Sequence, residues 1–238
     1  MAWTCSGTSN STMVQRLVEA SLLVTPAVVE AFNLVDRGWF LPRLPPEKAY
    51  RDEPAPIGYG ATISAPHMHA TMAEIIAPFL LHAKDRGTAT ALDVGSGSGY
   101  LTAVLAALCG KGGKVIGVEH VPVLVAQSSQ VIRDHFLPWV EEGRIRFVEG
   151  DGRDISRLLG KEKHFDVIHV GAAAETVPQD YIDSLNPGGC LVIPVGGENE
   201  AQVLRVYTKS PEGAVSFVNH CGVRFVPLTS LKHQEGRW

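Results

Sequence analysis

Three glycines, two acids and a serine carry the chemistry this sequence could do. The run Asp93-Val-Gly-Ser-Gly-Ser-Gly99 sets Gly95, Gly97 and Gly99 at alternate positions. Glycine lets a backbone bend sharply and lets a ligand approach where a Cβ would block it. A second acid, Glu119, ends the apolar run Lys114-Val-Ile-Gly-Val-Glu119, 20 positions after Gly99. A carboxylate there can accept both ribose hydroxyls of an adenosine. The spacing argues against two related sites. A dinucleotide fingerprint G-x-G-x-x-G needs its third glycine where Tyr100 stands, and the phosphate loop G-x-x-x-x-G-K-S/T is absent. Upstream, the stretch from Gly58 to Ala70 sets the polar Thr62, Ser64, His67 and His69 among small residues. Taken alone, Ser64 reads as a turn serine. His67 and His69 look like a metal pair, but no third ligand has suitable spacing and H-E-x-x-H is absent, so no metal is expected. Neither Ser96 nor Ser98 is centred in G-x-S-x-G, which argues against a hydrolase nucleophile elbow.

These residues need elements to position them. Ala91, Leu92 and Val94 form a short apolar run that reads as a buried strand, and Leu101, Val104, Leu105 and Leu108 follow with helical spacing. Strand, glycine turn and helix open a nucleotide-type site, with free N–H groups at the helix start. The pattern then repeats. A helix is expected over 122–135, strands over 145–148 and 165–170, a short helix over 177–185 and a strand over 190–195. Two last runs, 203–207 and 215–218, have only turn residues between them, so they read as an antiparallel edge. The expected fold is α/β: a doubly wound, mostly parallel, Rossmann-like sheet with an antiparallel C-terminal edge. Its ligand should lie beyond the carboxyl ends of the strands, where Asp93, Glu119, Asp151 and Gly171 fall. Asp151 also has a plainer reading, as the cap of the turn that follows it.

The N-terminal part reads as helical. A helix is expected over 9–23 with a capping-box pattern at Thr12 and Gln15, then a second one with Thr25 as N-cap and Pro26 in the first turn. Residues 38–59 are rich in proline and aromatics and read as irregular. A helix should follow to about His82, kinked or ended near Ile76 by Pro78. The whole chain is expected to form one domain: a helical cap and substrate segment over 1–88, a ligand-binding core over 89–200, and terminal strands over 201–238.

The 238 residues, 45% hydrophobic, suffice for a full core. A formal net charge of −4 with scattered basic residues gives no footprint for nucleic acid. No apolar run reaches membrane-spanning length, and the first residues lack the basic and apolar regions of a signal peptide. Cys5, Cys109, Cys190 and Cys221 form no C-x-x-C pair, which suits thiols in a reducing compartment. A soluble cytosolic protein is expected.

Asp93 to Gly99 resembles motif I of the class I S-adenosylmethionine-dependent methyltransferases. Ala61-Thr-Ile-Ser-Ala-Pro-His-Met-His69, Gly150-Asp-Gly152, His169-Val-Gly-Ala-Ala-Ala174, Asn186-Pro-Gly-Gly189 and Val226-Pro-Leu-Thr229 extend the likeness over nearly the whole chain. Together they resemble the protein-L-isoaspartate (D-aspartate) O-methyltransferases. The resemblance implies a cytoplasmic monomer that moves a methyl group from S-adenosyl-L-methionine to the free carboxylate of isoaspartyl residues in damaged proteins, leaving S-adenosyl-L-homocysteine. It implies Ser64 as the active-site serine. It implies cofactor contacts at Ala61, Thr62, Ile63, Ser64, His69, Ser98, Glu119, Asp151, Gly152, Thr229 and Gln234, beside Asp93, Gly95 and Gly97 of the glycine turn. Glu119 stands where many family members carry Asp. The other readings are a small-molecule methyltransferase and a cofactor-binding scaffold without catalysis.

Overall fold

The computed structural model describes residues 5–160 and 163–236. The chain begins with α1 (Asn10–Glu19), α2 (Pro26–Leu34) and α3 (Pro46–Ala49). An antiparallel pair follows, β1 (Ala55–Gly58) with β2 (Ala61–Ile63), and then the long α4 (Pro66–Asp85). The capping box of α1 lies one turn earlier than Thr12 and Gln15 would place it. Ser9 is the N-cap: its hydroxyl accepts the Thr12 N–H, and the Thr12 hydroxyl accepts the Ser9 N–H at 2.9 Å. The helix also stops early, at Glu19, where the chain reverses through Ser21 with φ +58°. Thr25 and Pro26 open α2 as expected, but the Thr25 hydroxyl donates to the Glu74 carboxylate at 2.6 Å and ties α2 to α4.

Two proline expectations need correction. Residues 38–59 are not wholly irregular, because they hold most of a 3-10 turn (Arg37–Phe40), α3 and β1. Pro78 does not end its helix, since α4 continues to Asp85. Proline removes one donor, while Met72, Ala73, Ile76, Ala77, Leu80 and Ala83 stay buried on both sides of it and hold the helix down.

The rest of the chain builds a seven-stranded sheet. Its strands are β3 (Thr90–Val94), β4 (Lys114–Glu119), β5 (Ile145–Glu149), β6 (Phe165–Val170), β7 (Leu185–Val195), β8 (Gln202–Lys209) and β9 (Val215–Val223). They lie in the order β5-β4-β3-β6-β7-β8-β9, parallel from β5 to β7 and antiparallel from there on. Alternate side chains go to opposite faces, as a strand's period of two requires. Ala91, Val115, Val167 and Val192 pack with α4, with α5 (Tyr100–Cys109) and with α6 (Pro122–Glu141). Leu92, Ile116, Ile168 and Ile193 pack on the other face, with the short α7 (Ile155–Leu159) and α8 (Gln179–Asp183). The sheet is thus doubly wound, with much the heavier cover on one side. Helix α6 runs past His135 by a break at Phe136 (φ −138°, ψ 39°), two residues before Pro138. A last helix, α9 (Leu231–Glu235), closes the described chain.

Candidate active site

The sheet changes winding direction between β3 and β6, since β4 and β5 lie to one side of β3 and β7 to the other side of β6. Ligands of open α/β sheets bind in the crevice beyond the strand ends at such a point. Here the crevice is floored by glycine. Gly95, Gly97 and Gly99 have φ of +71°, +51° and +83°, a region costly for any residue with a Cβ. The Gly95 N–H donates to Val118 O at 2.9 Å, and the Gly171 N–H donates to Val94 O at 2.8 Å. Those bonds bind the turn to β4 and β6. They bring Gly171 so close that a Cβ on it would lie 2.8 Å from Gly95 O.

Glu119 is buried at the end of β4. Its Oε2 accepts the Gly97 N–H and its Oε1 the Val121 N–H, both at 3.0 Å. An ionised carboxylate has about four acceptor sites, so each oxygen keeps one for a hydroxyl in the crevice. This carboxylate, set beside the glycine turn, fits the ribose of an adenosyl group. The crevice is narrow, about 60 Å³, and Gln234 of α9 lies over it. The Gln234 amide donates to Tyr59 O at 2.7 Å and accepts from His120 Nε2 at 2.8 Å.

Beside the crevice opens a cavity of about 960 Å³, lined by Ser64 and His67 at the start of α4 and by residues flanking β8 and β9. Crevice and cavity share a wall made of Thr62, Gly171, Val226, Pro227, Thr229 and Gln234. Two reactants held in the two spaces would meet there.

The structure brings together Ala61, Thr62, Gly95, Gly97, Glu119, Gly152, Thr229 and Gln234 around the crevice, and it puts Ser64 in the cavity. Five other expected residues line neither space. Ile63 is buried in the core. His69 turns inward and accepts at Nδ1 from the Arg37 guanidinium at 3.3 Å. Burial, then the Arg37 charge, pushes its pKa well below the usual histidine value. Arg37 itself, fully buried, is pushed down to about 10 by desolvation and also donates to Ala49 O. Asp93 spends one oxygen on the Thr102 hydroxyl and the other on His169 Nδ1 at 2.7 Å, joining β3 to α5 and β6. Ser98 lines a neighbouring pocket with Leu44 and Ile57, and its hydroxyl accepts the Tyr100 N–H. Asp151 accepts the Arg153 N–H and pairs with the Arg153 guanidinium, whose hydrogen bond first of all lowers its pKa. The plainer reading of Asp151 as a turn cap matches this geometry. Sequence reasoning missed His120, whose only signal was its place next to Glu119, and Asp52, which no motif marks.

A family model described as Protein-L-isoaspartate(D-aspartate) O-methyltransferase matches residues 8–233. The chain belongs to this family. It is 40% identical over 239 residues to the protein-L-isoaspartate O-methyltransferase of Caenorhabditis elegans, with both chains covered in full. It is 42% identical to that of Triticum aestivum, over 94% of this chain and 93% of the other. A Plasmodium falciparum crystal structure described as a protein-L-isoaspartate O-methyltransferase in complex with S-adenosyl-L-homocysteine superposes with a TM-score of 0.80. It is 31% identical and covers 93% of this chain and 98% of that one. Motif I alone names a superfamily, whereas these full-length matches place the chain among the isoaspartate methyltransferases. Among the described residues no helix is long and apolar enough to cross a membrane.

Proposed function

We infer that this chain transfers a methyl group from S-adenosyl-L-methionine to the free α-carboxylate of L-isoaspartyl residues in damaged proteins, which begins their repair. The observation that carries this reading is the wall shared by the glycine crevice and the Ser64 cavity. Bound in the crevice, the sulfonium would supply an electrophilic methyl. The chain's own residues do the rest. Glu119 accepts the ribose hydroxyls at its two remaining sites, and the glycines admit the adenosyl group. Gln234, held by Tyr59 O and His120, supplies part of the crevice wall beside the adenosyl group. Ser64 donates its hydroxyl to the substrate carboxylate and fixes one lone pair on the methyl.

An isoaspartyl residue runs its backbone through the side chain and leaves the α-carboxylate free. That group is already ionised near pH 7. Its oxygen forms the new bond to carbon, the carbon–sulfur bond breaks, and the electron pair stays on sulfur. No proton moves, so no general base is needed. Catalysis then rests on in-line alignment, which can supply roughly 7–11 kcal/mol in favourable cases. The ester is activated: the next backbone nitrogen displaces methoxide to give a succinimide, which opens in part to normal aspartate without further help. A cytosolic location is the finer expectation, and the buried free thiols of Cys109 and Cys190 suit a reducing compartment.

The test uses labelled S-adenosylmethionine and two peptides that differ only in isoaspartyl or aspartyl linkage. Base-labile label on the isoaspartyl peptide alone is the expected result. Label on both or neither would send the assignment back to the small-molecule and scaffold readings.

A further inference from the structure

His67 has no part in the chemistry described so far, yet its ring is fixed by a buried carboxylate at the edge of the substrate cavity. It is the second residue of α4, three positions after Ser64. Its backbone N–H donates to Asp52 Oδ1 at 2.9 Å, and its ring Nδ1 lies 2.7 Å from the same oxygen. The Asp52 side chain is fully buried and that of His67 is 27% exposed. A carboxylate at that distance makes Nδ1 the proton-bearing nitrogen, which leaves Nε2 to face the cavity that His67 lines. The other N–H groups of the first turn are used: Met68 and His69 both donate to Ala65 O, and Pro66 has none. From the helix start, the Ser64 hydroxyl and His67 Nε2 are therefore the side-chain groups available to a ligand. The cavity's other charges are Glu198, in the loop after β7, and Arg224, just past β9 and exposed.

We propose that His67 is a substrate-binding residue of this enzyme: with both nitrogens protonated, its Nε2–H holds the oxygen of the isoaspartyl α-carboxylate that does not take the methyl, while Asp52 positions the ring. The proposal rests on the isoaspartyl reading above. Its physics is electrostatic. Asp52 and an imidazolium together carry no net charge, so the wall does not repel the anion as a bare buried Asp52 would. The ring is also oriented before substrate arrives, so little freedom is lost on binding.

The same physics fixes which constant His67 controls. Methylation turns the carboxylate into a neutral ester, so the attraction to an imidazolium is strongest in the ground state and fades toward products. Interactions of that kind lower KM without raising kcat. In His67→Gln, KM for an isoaspartyl peptide should rise about ten-fold, the order expected for a lost hydrogen bond to a charged group, with kcat held within about two-fold. The deciding measurement is calorimetric binding of two peptides to the enzyme loaded with S-adenosylhomocysteine. One carries the isoaspartyl α-carboxylate and the other an α-carboxamide in its place. His67→Gln should weaken the first about ten-fold and leave the second unchanged. Equal weakening of both, or a fall in kcat at constant KM, would overturn the role. Asp52→Asn keeps an acceptor for Nδ1 and removes the anion, so it should shift the same comparison in the same direction by a few-fold. It decides the matter if His67→Gln fails to fold. Wild-type enzyme that methylates neither peptide would sink the isoaspartyl reading itself, a different outcome from a His67 variant that behaves like wild type.

Discussion

Two aspartate–histidine pairs in this molecule have the same geometry and opposite surroundings. Asp93 meets His169 Nδ1 at 2.7 Å, and Asp52 meets His67 Nδ1 at 2.7 Å. The first pair is sealed. Asp93 also accepts from Thr102, and the far nitrogen of His169 lies 3.0 Å from the Met72 sulfur. Both side chains are at most 4% exposed, so the pair can only stitch β3, α5, β6 and α4 together beneath the glycine turn. The second pair opens on the substrate cavity. Identical local chemistry thus serves the core in one place and a ligand in the other. Access decides, and access is a property of the surrounding fold.

Removing each ring in turn breaks the comparison most directly. His169→Gln leaves a buried carboxylate short of a partner, and should lower unfolding stability by about 3 kcal/mol. His67→Gln, at a partly exposed site, should lower it by under about 1 kcal/mol. Urea unfolding of the two variants side by side measures both, and equal losses would erase the distinction. Ser64→Ala probes the open site for chemistry in place of stability. Turnover should fall by roughly ten- to hundred-fold with loss of the aligning hydroxyl, while affinity for S-adenosylmethionine changes little. Parallel losses in kcat and cofactor binding would make Ser64 a cofactor contact only.

The smallest effect concerns a third histidine, as sealed as His169 but faced by a cation. His69 is held neutral by burial and by Arg37. A histidine whose folded-state pKa is lowered binds protons more readily when unfolded, so stability is present above the unfolded value of 6.5 and is lost as pH falls below it. The melting temperature should therefore drop more in wild type than in His69→Gln between about pH 7.5 and pH 5.5. A parallel drop in both would show that His69 does not titrate with unfolding.

Much of the site was legible because it is local. Gly95, Gly97 and Gly99 needed positive φ whatever surrounded them, and Glu119 ends the very next strand. Asp93, Ser98 and Asp151 lie in the same motifs, yet none of them is among the residues that line the crevice. A motif gives a residue's position along the chain, while side-chain direction depends on the partner it finds: Thr102 and His169 for Asp93, Arg153 for Asp151. His69 and His67 make the point within one helix. Two residues apart, they are turned by about 200°, so one is buried and the other lines the cavity. Pro78 and Phe136 mark the same boundary for the backbone, since packing of a buried apolar face carried α4 through one proline, and α6 passed the other only by a local break.

The amino-acid sequence by itself determined the alternating strands, the glycine turn with its distal acid, the antiparallel edge and the family to which the chain belongs. All of these depend on short-range pattern and backbone preference. Only the tertiary structure decided which side chains share a cavity. Asp52 and Ser64 come from one end of the chain and Arg224 and Gln234 from the other, and nothing in their spacing can encode a meeting that long-range packing alone creates.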